Sequence, residues 1–305
     1  MLGVILGLGY AAFLGANTVI VRRAVFRVSP NYIATLTIFS GPVFFFLLNL
    51  ATGELFKLPD FTWKATLFFA ISGIVHFALG RTFGYRTVQI LGSTRAGVMT
   101  GLSAMVSVVL AVTILHETIT PLMMLGILFS LAGPTVIALK GEKSPGAAGQ
   151  KTDTGLKFVD RKTFFRGILF GLCSALLWGT SSIFIKLALA NGGSSLPGTF
   201  IAYCGASLII SSSLLNKANR KEIFTKNKKS LQIAVLSGMT TNLAQMMRYV
   251  ALSYTSVIVV SMVSRTLPLW TVALSFIFNR RLESFSRWVL MGNALLIVGT
   301  VLVLI

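Results

Sequence analysis

Apolar residues along this chain fall into runs of about 18 to 25 residues, the length at which a helix spans the hydrocarbon core of a bilayer. Short polar or basic stretches separate the runs. The pattern predicts an all-α integral membrane protein that crosses the membrane many times. Ten transmembrane helices are predicted, at 2–21, 32–52, 65–86, 95–115, 121–139, 165–187, 198–215, 231–252, 256–278 and 287–305.

The two halves of the chain repeat the same pattern. Residues 7–24 read GLGYAAFLGANTVIVRRA and residues 171–188 read GLCSALLWGTSSIFIKLA, with glycines and small residues in register. Later in each half, ETIT at Glu117 matches ESFS at Glu283. A duplicated unit predicts a repeat architecture. Because five spans per half is an odd number, the halves must insert in opposite orientations, which is the inverted-topology plan of many secondary transporters.

The repeat also divides the chain into domains. Residues 1–140 form the first predicted five-helix unit, and residues 164–305 form the second. Between them, residues 141–163 begin GEKSPGAAGQKTDTGLK, which is rich in Gly, Ser and Lys and has no apolar period. This composition is typical of a flexible polar linker.

Composition supports a membrane protein, because only 11% of the residues are charged and 54% are hydrophobic. The net charge of +19 could suggest a nucleic-acid partner. However, most basic residues lie in short segments between spans, so we expect no nucleic acid as a partner. Lys and Arg concentrate in cytoplasmic loops, which predicts cytoplasmic loops after the odd-numbered spans and both termini outside. These basic segments are 22–27, 140–166, 217–229 and 280–287.

Signals for enzymatic chemistry are absent from the sequence. There is no P-loop, no HExxH, no dinucleotide-binding glycine pattern and no Cys/His group at metal spacing. Cys173 and Cys204 both fall inside apolar spans and are expected to be packing residues. We therefore expect no enzyme activity, no cofactor and no metal.

Taken together, the chain resembles the EamA-type members of the drug/metabolite transporter superfamily. The resemblance rests on two five-span halves, the small-residue first helices, the mid-helix proline in SRTLPLWTVALSFIF and the Glu that closes each fourth span. It covers the whole chain and implies a secondary transporter with a central pocket between the halves. Two features depart from the family. The fourth span lacks the proline, and family members are usually drawn with cytoplasmic termini, opposite to the charge pattern.

The ionisable residues inside the predicted spans are mainly arginines. Arg265 lies in VVSMVSRTLPLW and Arg248 in NLAQMMRYVAL, whereas no Asp or Glu lies in the interior of a span. A buried cation without a carboxylate needs another partner, and the planar guanidinium fork suits a carboxylate or phosphate. Both arginines are therefore candidate anion ligands. Alternatively, Arg248 lies near a helix end and reaches the interface, as is favoured for Arg81, Arg86 and Arg95.

Other polar residues form stripes on predicted helices. Asn242 and Gln245 share a face with Arg248, which a helix facing only lipid could not carry. On the first helix of each half, Tyr10 and Asn17 correspond to Ser174 and Ser181, with Trp178 nearby. These residues either line a substrate pocket or let the helices pack closely. The candidate substrate-binding set is Arg265, Arg248, Asn242, Gln245, Asn17, Tyr10, Trp178, Ser181 and His76.

His76 is the one histidine in a predicted span, where it serves either as a packing residue or as a proton relay. With no buried carboxylate, exchange or facilitated transport is favoured over proton antiport. The favoured function is alternating-access transport of a small organic anion or zwitterion across the plasma (cell inner) membrane. The alternatives are export of neutral or cationic compounds, and a scaffold that transports nothing. Paired glycines seven residues apart in the fifth and tenth spans leave a homodimer open.

Overall fold

The computed structural model describes residues 1–24, 30–91, 93–140, 161–213, 228–278 and 287–305. All regular structure in these ranges is helical, and they contain no strand. The predicted linker falls largely outside them, except that Arg161–Thr163 already belong to a helix. The α-helices are α1 (Leu2–Ala24), α2 (Pro30–Thr52), α3 (Trp63–Gly73), α4 (Arg81–Leu91), α5 (Ser93–Leu115), α6 (Pro121–Lys140), α7 (Arg161–Ala190), α8 (Ser195–Ser213), α9 (Lys228–Tyr254), α10 (Val257–Val263), α11 (Leu267–Phe278) and α12 (Arg287–Leu304).

Two of the predicted spans are irregular in the middle. A π-helical segment, Ile74–Gly80, joins α3 to α4, and a 3₁₀ segment, Ser264–Thr266, joins α10 to α11. Pro268 lies two residues after the 3₁₀ segment, and its missing N–H accounts for a break at this point, because it cannot bond the Ser264 carbonyl. Such stretches inside a helix are often found at functional sites and hinges.

Most of these helices are long and apolar enough to cross a bilayer. By length and composition six stretches qualify, and three shorter apolar helices accompany them. Helix α9 belongs to neither group, because its middle carries the polar stripe of Asn242, Gln245 and Arg248. The six stretches are Leu2–Ile20, Ala34–Thr52, Trp63–Gly84, Lys162–Ala190, Ser195–Ser212 and Val257–Ile277.

Contacts between the two halves come in matching pairs. Helix α1 packs against α9 and α11 of the second half, and α7 packs against α3, α4 and α5 of the first. In the same way α2 contacts α8 and α9, α8 contacts α3, and the last helices of the halves, α6 and α12, pack together. Each half therefore completes the packing of the other, and the polar residues of α7 and α9 lie where the halves meet.

The spaced glycines lie at the crossing of α6 and α12. A Cβ added at Gly126 would lie 2.7 Å from the Gly299 carbonyl oxygen, and one at Gly133 would lie 2.5 Å from the Gly292 oxygen. The backbones approach so closely that only glycine fits at these positions. The spaced glycines of α6 and α12 therefore pack against each other within one chain. They give no argument for contact with a second subunit.

Glu117 ends the fourth predicted span and joins the two halves. Its carboxylate accepts hydrogen bonds from the backbone N–H groups of Val257 at 2.7 Å and Ile258 at 3.0 Å, at the start of α10. His116, just before it, has a positive φ of 55°, a strained value for a non-glycine residue. The Glu117 carboxylate thus complements the dipole of α10 in the other half rather than that of α6, the next helix along the chain. Its partner Glu283 lies outside the described residues.

Replacing Glu117 with alanine is expected to lower the free energy of unfolding by about 1 to 2 kcal/mol, the cost of losing a strong helix cap. The buried N–H of Val257 would lose its acceptor, and the negative charge at the positive end of α10 would disappear. Thermal unfolding of the purified protein in detergent measures the effect.

Glu54→Ala is the matched control, because Glu54 makes a surface ion pair with Lys57 and a long hydrogen bond to Ser194. Surface pairs contribute little, so its melting temperature should stay near that of the wild type. Equal losses in the two variants would contradict the capping role of Glu117.

Candidate functional site

The π-helical segment is held by polar side chains of α7. The indole N–H of Trp178 donates to the His76 carbonyl oxygen at 3.0 Å, and the Ser174 hydroxyl donates to the Gly80 carbonyl oxygen at 2.9 Å. A Cβ at Gly80 would lie 2.5 Å from the Trp178 ring, so glycine is needed for this approach. The widened turn of a π-segment displaces carbonyls from the regular ladder. Helix α7 satisfies two of them and fixes where His76 lies.

Arg248 of α9 lies at the centre of a polar cluster. Its Nη2 donates to the hydroxyls of Ser181 and Ser182, both at 2.8 Å. Its Nη1 contacts His76 Nδ1 at 3.3 Å and donates to Gln245 Oε1 at 3.4 Å. Only 4% of Arg248 is exposed. We call these five residues the Arg248 cluster, which joins α9, α7 and the π-segment. The predicted escape of Arg248 to the interface does not occur, because the side chain points inward.

Every partner of Arg248 in the cluster is uncharged. Among the described residues, the recorded ion pair is that of Lys57 with Glu54, on the surface. A guanidinium removed from water keeps a large desolvation cost unless an opposite charge compensates it. The cluster therefore holds a cation with hydrogen bonds but without a counter-charge, which makes it a strong attractor for an anion.

Arg265 occupies the other irregular segment, the 3₁₀ turn before α11. Its Nη2 donates to the Ser103 hydroxyl of α5 at 3.1 Å, so it too bridges the halves. Its Nε is buried without a hydrogen-bond partner. Tyr10 of α1 lies near enough to interact with it electrostatically. In Arg265, therefore, Nη2 is held by Ser103, while the Nε–H group donates to no protein atom.

Arg81 differs from the prediction that it reaches the membrane interface. Its Nη1 donates to the buried Thr37 hydroxyl of α2 at 2.8 Å, and its guanidinium carbon lies 5.7 Å from the centre of the Phe77 ring. Arg86, one turn and a half later, is exposed and lies over Phe170, as expected for an interfacial arginine. The side chain of Arg95 lies outside the described residues.

The remaining candidates lie at helix contacts. Asn17 accepts hydrogen bonds from Ser237 at 2.6 Å and from Thr240 at 3.5 Å, which ties α1 to α9. Asn242 donates to Ser40 of α2 at 3.2 Å, and its Oδ1 is buried without a partner. The predicted stripe of α9 is therefore divided. Gln245 and Arg248 belong to the cluster, whereas Asn242 faces α2.

Sequence reasoning missed three features of this site. Ser182 accepts a hydrogen bond from Arg248 at the same distance as Ser181 does. In the sequence it is one of several small polar residues in TSSIF, so nothing distinguished it as a ligand. Arg81 was assigned to the interface because it lies near the end of the third predicted span, close to a loop. The π-segment, IVHFALG, has no sequence signature of its own.

The helices and the buried polar groups together define a class of membrane protein. A bundle of apolar helices in two equivalent halves, with cationic polar groups buried where the halves meet, is the plan of a small-solute membrane transporter.

The chain belongs to the EamA-like transporter family, which matches it twice, over residues 1–139 and 165–305. This confirms the resemblance drawn from the sequence and identifies a multi-pass integral membrane transporter of small solutes rather than an enzyme. A solved crystal structure is similar in fold, with a TM-score of 0.70 and 17% identity over 97% of this chain and 94% of the other. A comparison with curated proteins finds no match.

Proposed function

We propose that the protein is a secondary transporter that carries a small organic anion or zwitterion across the membrane by alternating access. The observation that carries this proposal is Arg248, which is 4% exposed and surrounded only by uncharged partners. An anionic group that reaches the cluster would supply the missing counter-charge. A guanidinium can hold a carboxylate, sulfonate or phosphate with two parallel hydrogen bonds.

Arg265 supplies the second contact in this proposal. Its unpartnered Nε and its partly exposed side chain leave donors free for a solute, while Ser103 holds Nη2 in place. A zwitterion or an anion with a polar tail would place its negative group on one arginine and its remaining polar groups near Tyr10 or Trp178. Both aromatic side chains are partly exposed and can cover an apolar part of the solute.

Alternating access requires two halves that can move relative to each other. The matching contacts between the halves support an arrangement of ten spans in two inverted repeats, with α3 to α4 and α10 to α11 each forming one interrupted span. The π-segment interrupts the third span of the first half and the 3₁₀ segment the fourth span of the second half, and these bending points carry His76 and Arg265. A rocking motion about these points would change the surroundings of both candidate ligands at once.

The proposal is tested by ligand-dependent thermal stability of the purified protein over organic anions, amino acids and organic cations. A ligand that binds only the folded state raises the melting temperature by mass action. We expect anions to stabilise the wild type and to lose this effect in Arg265→Ala. Arg86→Ala is the matched control, since that arginine is exposed and lies over Phe170, so the variant should respond to anions as the wild type does.

Other results would support the rival functions. If cations or neutral compounds stabilise the wild type and Arg265→Ala equally, the protein carries those compounds and Arg265 has a packing role. If no member of the panel changes the melting temperature, the result favours a scaffold without transport.

A further inference from the structure

We propose that His76 takes up one proton with each anion that binds the Arg248 cluster, so that the protein is a proton–anion symporter. This inference rests on the proposed anion function and adds the coupling ion to it. It replaces the expectation of exchange or facilitated transport that the sequence favoured. The argument starts from the hydrogen bonds of a single ring nitrogen, His76 Nδ1.

In the present structure the contact between Arg248 and His76 fits an unprotonated Nδ1. Arg248 Nη1 contacts it at 3.3 Å, and a guanidinium nitrogen can only donate. Nδ1 therefore accepts with its lone pair, which leaves His76 neutral with its proton on Nε2. A proton on Nδ1 would deprive the Arg248 donor of its acceptor and would bring two positive charges into contact.

The acceptor for a protonated Nδ1 is already in place. The Ser181 hydroxyl lies 3.0 Å from Nδ1 and donates its single hydrogen to the Trp178 carbonyl oxygen at 2.8 Å. That leaves the two lone pairs of Ser181 Oγ, one of which accepts from Arg248 Nη2 at 2.8 Å. The second can accept from an Nδ1–H group. Ser181 can therefore accept from Nδ1–H once Arg248 no longer uses that nitrogen as its acceptor.

An anion would shift the balance between the neutral and protonated states of His76. An anion that accepts hydrogen bonds from both Nη atoms of Arg248 would draw Nη1 away from His76. Nδ1 would then have Ser181 Oγ as its remaining hydrogen-bond partner. The negative charge also offsets the repulsion between Arg248 and a positively charged ring. Proton uptake and anion binding then favour each other. By linkage, each must raise the affinity of the other by the same factor.

Within the described part of the chain, the charged groups around His76 are cations. Arg81 and Arg248 are the charges that act on it, and both are positive. The described segments of the elements packed against His76 carry no Asp or Glu. No carboxylate on those segments therefore competes with the imidazole for a proton. The further titratable side chains described on those elements are Lys64 of α3, Arg86 of α4, Lys162, Arg166, Cys173 and Lys186 of α7, Tyr203 and Cys204 of α8, and Tyr249 and Tyr254 of α9.

The test measures binding of methanesulfonate and benzenesulfonate, whose charge is constant in this range, to the full-length protein at about pH 5.5 and about pH 7.5. We expect the wild type to bind at least about tenfold more tightly at the lower pH. His76→Gln keeps an acceptor for Arg248 but cannot take up a proton, so its affinity should not change with pH. His116→Gln, which removes the other histidine, outside the predicted spans, should behave as the wild type.

A second measurement needs no variant. In weakly buffered solution near pH 7, sulfonate binding to the wild type should take up protons from the medium, approaching one proton for each bound anion. An affinity that is equal at both pH values, or a pH dependence that survives in His76→Gln, would overturn the symport proposal while leaving the anion site intact. Failure of both sulfonates to bind at either pH would overturn the anion function together with the inference.

Discussion

Replacing Arg248 with glutamine is expected to weaken anion binding by at least about 30-fold, because truncating a buried, hydrogen-bonded charge at a binding contact costs about 2 to 5 kcal/mol. Glutamine retains a polar end near Ser181 and Ser182 but removes the positive charge. The anion would then enter a buried polar site without a counter-charge. Equilibrium binding of an organic anion to the purified protein measures the loss.

Arg248→Lys separates charge from geometry. Lysine keeps the positive charge but cannot reproduce the planar fork that contacts Ser181 and Ser182 through one nitrogen and Gln245 through the other. We expect intermediate affinity, weaker than that of the wild type and stronger than that of Arg248→Gln. Wild-type affinity in the glutamine variant would show that the cluster serves packing alone.

Replacing Gly133 with alanine is expected to destabilise the protein by about 1 to 3 kcal/mol, the range for overpacking a tight contact. The added Cβ would lie 2.5 Å from the Gly292 carbonyl oxygen and 2.8 Å from Leu296 Cγ. Because the nearest atom belongs to the backbone of α12, the two helices would have to separate. The melting temperature in detergent and the yield of folded protein report the effect.

Gly101→Ala is the matched control for this substitution. Gly101 lies in the middle of α5, and a Cβ there would meet no atom within 4 Å. Alanine is also a better helix former than glycine, so the melting temperature should be unchanged or slightly higher. Similar destabilisation by the two substitutions would mean that the close crossing of α6 and α12 does not limit stability.

Much of the architecture could be predicted from sequence, because a bilayer imposes a simple rule on helix length. The apolar runs and the repeated first helix placed the membrane helices and the two halves. The same rule concealed the irregular segments, since hydropathy does not distinguish a π-turn at His76 or a 3₁₀ turn at Arg265 from an α-helix. Pro268 was the one local signal of a break.

The candidate site was only partly predictable. Helical spacing put Gln245 and Arg248 on one face of α9, and the repeat singled out Ser181 and Trp178. Spacing along a chain cannot show which helix lies opposite, so the contact between Arg248 and His76 required the tertiary structure.

Because spacing along the chain does not show which helix lies opposite, the sequence also left open the partners of Glu117, of the paired glycines and of Arg81. Glu117 lies just before α6 along the chain, but the folded chain places its carboxylate at the start of α10. Paired glycines indicated a close helix approach and left the partner open, and the partner is another helix of the same chain. Arg81 was placed at the interface because sequence gives depth only roughly, and Thr37 holds it inside.

The central claim, that this transporter carries an anion held by buried arginines, is tested most directly by uptake into proteoliposomes. Purified wild type, Arg248→Gln and Arg86→Gln would be reconstituted, and entry of labelled organic anions compared with that of organic cations of similar size. The account predicts anion entry through the wild type and Arg86→Gln and none above background through Arg248→Gln. Entry of cations in place of anions, or anion entry that survives in Arg248→Gln, would contradict it.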